Sequence, residues 1–253
     1  MTRFHEWCND TETPIADHTL RLLAADPTKQ PHAVKVVAKA VPSYYVSSDR
    51  AAQLLGRLGR TKLAKFVKEK LPTTKAIRSG DLGEVLCTAY IGEATSFTLG
   101  ITKLRWKDHR EMAMRGEDVL AFSLNARGKG LKVLKTEVKS RVAMGSGVIG
   151  DARKALSSNK GLPSAHALSF VADRLFEQGD KALRDAIDDV QLKSALKQSQ
   201  VSHMLFTFSG NDPSKLLTTN LTNYKGAVPQ MYVALSVKAH QDFIKSVFDA
   251  VKV

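Results

Sequence analysis

The run from Leu131 to Val142 constrains this chain more than any other stretch, because its apolar and β-branched residues enclose the triplet Glu137-Val138-Lys139. Such a run predicts a strand. Side chains alternate across a strand with a period of two, so Glu137 and Lys139 point the same way with the carbonyl of Val138 between them. A preceding strand over 118–124, joined to it through Gly128-Lys129-Gly130, predicts a hairpin that carries a second acid, Asp118, towards the first.

Around this hairpin, residues 48–71 read as a helix, with Leu54, Leu55, Leu58, Leu63, Phe66, Val67 and Leu71 at three- and four-residue steps, Asp49 as N-cap and Pro72 as stop. A second helix spans 79–91, capped by Ser79 or Asp81, with Glu84 falling between its apolar positions. Residues 96–106 alternate as a strand. After Gly145-Ser146-Gly147 the pattern turns helical over 151–156, 164–178 and 181–197, then gives short strands at 204–208 and 231–237 and a closing helix at 241–251. Residues 1–48 form a mixed lead-in whose short apolar pieces are separated by Pro27 and Pro31. The order predicts an α/β protein, a mixed central sheet flanked by helices.

Phosphodiester hydrolysis needs charge stabilisation at the attacking and leaving oxygens, which a hard cation held by carboxylates and a backbone carbonyl provides. Asp118, Glu137 and the carbonyl of Val138 match that donor set for Mg²⁺ or Mn²⁺, with Glu84 as a further ligand. Lys139 is placed to orient or help deprotonate a water. Each residue also has a plainer reading. An E-x-K pair is common on a solvated strand face; Glu84 caps a backbone or pairs with a buried arginine; Asp118 is an acid at a turn's end.

Charge points to a polyanion. The 253 residues carry 38 Lys plus Arg against 25 Asp plus Glu, a net +13. Nine bases lie between Arg50 and Arg78, and a second basic group, with Arg127, Lys129 and Lys132, surrounds the motif. Arg115, Lys135, Arg141, Arg153 and Lys154 are the candidates for contact with DNA phosphates, which would give sequence-independent affinity. A solvated face or a docking surface for an acidic partner explains the first group equally well. Residues 173–189 hold six acids against three bases, so DNA is not expected there.

Several classes are disfavoured. Cys8 and Cys87 stand alone, without disulfide or zinc spacing, and fit a reducing cytoplasm. The seven histidines show no paired-ligand spacing, and neither a G-x-x-x-x-G-K-[ST] loop nor a G-x-S-x-G elbow occurs. No signal-like start or long apolar run is present, so the chain is expected to be neither secreted nor inserted in a membrane.

Glu84 on a helix, Asp118 on one strand and Glu137 with Lys139 on the next resemble the PD-(D/E)xK nuclease superfamily, although Glu117 stands where its motif places proline. Across Arg78–Glu84, Met114–Asp118 and Lys135–Arg141 the chain is similar to the HamA family, nuclease-like effector subunits of Hachiman antiphage defence systems. The resemblance implies a restriction-endonuclease-like core over 76–253, preceded by a mostly helical and basic extension over 1–75. It also implies DNA cleavage during infection and a helicase partner, HamB, that holds the effector in check. A noncatalytic adaptor that binds DNA or regulates the helicase, and a ribonuclease, are the competing expectations.

Overall fold

A computed structural model describes residues 2–125 and 130–252. Seven strands form one mixed sheet: β1 (Cys8–Ile15), β2 (His18–Ala25), β3 (Thr98–Leu99), β4 (Val119–Ser123), β5 (Lys132–Arg141), β6 (Val201–Ser209) and β7 (Gln230–Ser236), in the order β1-β2-β7-β6-β5-β4-β3. The centre, β2-β7-β6-β5, is parallel, and both edges are antiparallel. Parallel strands lie under helices on both faces, and β6 accordingly reads as a nearly unbroken buried run.

Nine helices are described: α1 (Phe4–Trp7), α2 (Gln30–Tyr45), α3 (Ser48–Lys70), α4 (Lys75–Ala94), α5 (Ser146–Ser157), α6 (Ala165–Gln178), α7 (Lys181–Leu192), α8 (Ser214–Thr222) and α9 (His240–Asp249). α2, α4 and α9 cover one face, where Val37, Leu82, Leu86 and Phe243 meet Leu134, Phe206 and Leu235 of the sheet. On the other face α6 and α7 close over Leu120, Phe122 and Val133, while α5 and α8 close over Leu205 and Tyr232.

The sheet flanked by helices agrees with the expected architecture, with three local corrections. Residues 1–48 supply the β1–β2 hairpin as well as α2, and β2 joins the sheet beside β7, so this segment is part of the main core. Within 96–106 only Thr98–Leu99 is strand, and Lys103–Trp106 winds into a 3₁₀ turn. α3 is capped by Ser47, whose hydroxyl accepts from the Arg50 amide, and is broken at Gly59, whose φ of 77° a side-chain-bearing residue rarely adopts. The β4–β5 pairing is antiparallel as expected, but Arg127, Gly128 and Lys129 of its connection lie outside the described residues. Among the described residues no helix is long and apolar enough to cross a membrane.

Candidate active site

Register brings the hairpin acids together. Val119 of β4 faces Thr136 of β5, so the next pair outward sets Asp118 against Glu137 on one face of the sheet, with Lys139 two positions further along it. Beyond Val119 the ladder between the strands ends, and the Asp118 carboxylate takes its place by accepting from the Val138 amide at 2.7 Å. A residue's N–H and C=O leave a strand on the same edge, so the Val138 carbonyl opens towards Asp118 as well. The Lys139 ammonium donates to Glu137 Oε1 at 2.6 Å.

Glu84 arrives from α4. That helix packs tightly on β5 at Gly83, where an added Cβ would stand 3.1 Å from Val138 Cγ1 and 3.3 Å from Ser140 Cβ. A 2.8 Å hydrogen bond between the Ser79 and Ser140 hydroxyls secures the same contact one turn earlier. The backbones meet this closely because position 83 carries no side chain, and Glu84, the next residue, lines the same cavity as Asp118.

The acids are electrostatically strained. Burial pushes the Glu84 carboxyl up to about 8; Lys103 opposes the shift, and Asp118 adds to it. Burial likewise pushes Asp118 up to about 6, aided by the charge of Glu137 and opposed by the Val138 amide, Lys103 and Lys139. For each carboxylate the loss of water outweighs the nearby positive charge. Among the described residues no three His, Cys, Asp or Glu side chains draw close enough to make a metal cluster by themselves. The donor chemistry still suits a hard divalent cation: Asp118, Glu137, Glu84 and the Val138 carbonyl offer only oxygen, and of the three acids only Glu137 has an ion-pair partner among the described residues.

Lys103 was not among the expected site residues. Its ammonium donates to the Glu117 carbonyl at 2.8 Å and is the largest positive influence on Glu84. Reading 96–106 as a strand hides it, since in that pattern it is one more solvent-facing lysine. Glu117, standing in place of the motif proline, ties the hairpin to the start of α6, because its two carboxylate oxygens accept from the Ser164 amide at 2.6 Å and the Ser164 hydroxyl at 3.0 Å.

The expected phosphate contacts divide. Arg115 lines a cavity of about 420 Å³ that also exposes Glu84 and Asp118. Arg141 and Lys154 are exposed. Lys135 is buried, and its ammonium is occupied by the carbonyls of Ser158 and Leu162 and the Ser158 hydroxyl. Arg153 also turns inward, to Gln230, Tyr232 and His203, and stacks on Tyr224 at 4.5 Å. Both bases therefore hold the sheet to its helices instead of facing solvent. Arg127 and Lys129 lie outside the described residues.

Comparison with known proteins is consistent along the chain. A family model described as HamA matches residues 1–251. A curated Hachiman protein HamA from Bacillus cereus is 25% identical over 252 residues, which is 97% of this chain and 89% of that relative.

Proposed function

The chain belongs to the HamA family, and from that premise we propose that it is a metal-dependent deoxyribonuclease effector of an antiphage defence system, restrained by a helicase subunit, HamB. The observation that carries this reading is the pairing of Asp118 with Glu137 across the β4–β5 hairpin, with Lys139 on the same face and the Val138 carbonyl at the same edge.

Asp118, Glu137 and the Val138 carbonyl would hold Mg²⁺ or Mn²⁺, with Glu84 joining them or orienting them from α4. The bound cation supplies electrostatic stabilisation to the charge that develops on phosphate oxygens. Lys139 holds and orients the attacking water, and its link to Glu137 Oε1 fixes where its ammonium sits before DNA arrives. Asp118 is held by the Val138 amide, so one of its oxygens is already oriented. Arg115 and Arg141 serve the DNA backbone, where a phosphate contact positions the duplex without reading sequence.

Glu137→Ala combined with Lys139→Ala abolishes Mg²⁺-dependent cleavage of plasmid and linear DNA, and phage protection, while circular dichroism stays native. Retained cleavage by that folded double variant removes these residues from the mechanism. One observation favours the noncatalytic adaptor reading: no three acids form a closed metal cluster among the described residues. Calorimetric titration with Mg²⁺, comparing the intact chain with Asp118→Asn, separates the two; an adaptor gives no binding that Asp118→Asn removes.

A further inference from the structure

The cavity beside the acids extends well beyond what a metal and a phosphate need. It holds about 420 Å³ and exposes Glu84 and Asp118, but Glu137 and Lys139 do not line it. Asp118 is thus shared: one side faces the acid–lysine pair of β5, and the other faces this chamber. Its walls include Leu104 from the 3₁₀ turn, Met112 and Met114 from the loop before Asp118, and Phe170 and Val171 from α6. Polar side chains share the lining with them, among them Thr88 from α4, Lys103, Asp108, Arg115 and His166. A volume of this size, with apolar walls on one part and polar groups on another, can take a small ligand that has both apolar faces and polar edges.

Phe170 does not have to be organised by a ligand. The Arg174 guanidinium lies 5.3 Å from its ring centroid and 4.5 Å from that of Trp106, so the aromatic wall is braced from behind. Thioethers and a braced aromatic ring suit a flat partner with polarisable faces, and the acid and hydroxyl groups suit polar edges. A nucleobase has that form. Bases stacked in a duplex cannot enter a recess; an unpaired or extruded base can.

We propose that this cavity is a subsite for one unpaired nucleobase flanking the phosphodiester held at Asp118 and Glu137, so that the protein acts on single-stranded or frayed DNA in preference to closed duplex. The inference rests on the nuclease reading for the position of the phosphodiester, but base capture itself needs no metal and no cleavage.

The test measures binding in EDTA by fluorescence anisotropy of the full chain with a short end-labelled single-stranded oligodeoxynucleotide, its blunt duplex, and the same strand with its bases removed. The intact single strand binds about tenfold more tightly than the abasic strand, the scale expected for one base stacked on an aromatic surface. Met114→Trp, which fills the chamber, and Phe170→Ala, which strips its wall, erase that difference and leave abasic-strand affinity unchanged. Their melting temperatures are recorded alongside, and the abasic strand reports that the folded backbone-binding surface persists. Equal affinity of the intact and abasic strands for the unaltered protein overturns the proposal, as does a difference that survives in a folded Met114→Trp. Cleavage in Mg²⁺ by the unaltered protein and Asp118→Asn tests the hydrolytic reading separately, so the two fail independently.

Discussion

One turn of α4 carries two acids with different partners. Asp81 is buried but answered: Lys107 Nζ donates to both its oxygens, at 2.9 and 2.8 Å, and the Tyr45 hydroxyl donates to one of them at 2.7 Å. Glu84, three residues on, has no hydrogen bond or ion pair among the described residues, and burial holds its carboxyl up at about 8. Under the nuclease reading, a structural acid is given its counter-charge by the fold, whereas an acid kept for chemistry is left wanting one. The two share one helix turn, and burial raises both carboxyls; at Asp81 hydrogen bonds from Lys107 and Tyr45 oppose that shift, and at Glu84 no hydrogen bond does.

That contrast fails or tightens under four tests. The largest effect is expected at the answered acid: Lys107→Ala leaves Asp81 buried and without its cation, and costs about 3–5 kcal/mol in urea unfolding. Lys107 and Asp81 side chains are each 5% exposed, so water compensates little. A loss below about 1 kcal/mol would make the two acids equivalent.

Next comes the unanswered site. Mg²⁺ at about a hundredfold excess over its Kd stabilises the unaltered chain by about 2.7 kcal/mol through binding linkage, and stabilises Asp118→Asn far less. Calorimetric melting with and without the ion reads the gap, and equal shifts in both proteins would place the cation elsewhere.

The third test uses pH. A carboxyl whose folded value is raised binds its proton more tightly in the folded state, so its contribution to stability is fully present below the ordinary carboxyl range and is lost as pH rises. For Glu84 that loss runs from about 4.5 to about 8, and for Asp118 from about 3.8 to about 6. Glu84→Gln removes the upper part of this slope, and at a pH of about 8 to 9 the variant is the more stable protein by about 1–3 kcal/mol, the scale of an uncompensated buried polar group. A variant that follows the parent curve through that window would mean that Glu84 ionises freely.

The smallest effect is expected at Ser164→Ala, which removes the N-cap of α6 together with one bond to Glu117 and costs about 1 kcal/mol. Under the nuclease reading, cleavage by this variant falls more than its stability does, because Glu117 adjoins Asp118.

Much of this was legible in the chain, and what was hidden has physical causes. β5, α4 and the Asp118–Glu137–Lys139 grouping follow from period and spacing, since hairpin register is local. The β1–β2 hairpin was not legible. β1 is almost wholly exposed and carries Asp10, Glu12 and Pro14, the charged and proline-bearing style of an edge strand, so it lacks an apolar face to betray it. β2 is fixed by parallel pairing to β7, about 200 residues away in sequence. Lys135 and Arg153 mislead for a related reason: composition counts their charge, but only the assembled fold shows it spent on carbonyls, Gln230 and His203. The inward turn of Lys103 to the Glu117 carbonyl depends on the 3₁₀ turn, which alternation alone cannot distinguish from a strand.

Glu117 is gripped at both ends, by Lys103 at its carbonyl and by Ser164 at its side chain, and a single peptide bond separates it from Asp118. The start of α6 is therefore tied to the residue that precedes the carboxylate. Only a hydrogen-bonded side chain and one peptide bond lie between the first turn of α6 and the Asp118 residue, so the two share a single anchor at Glu117.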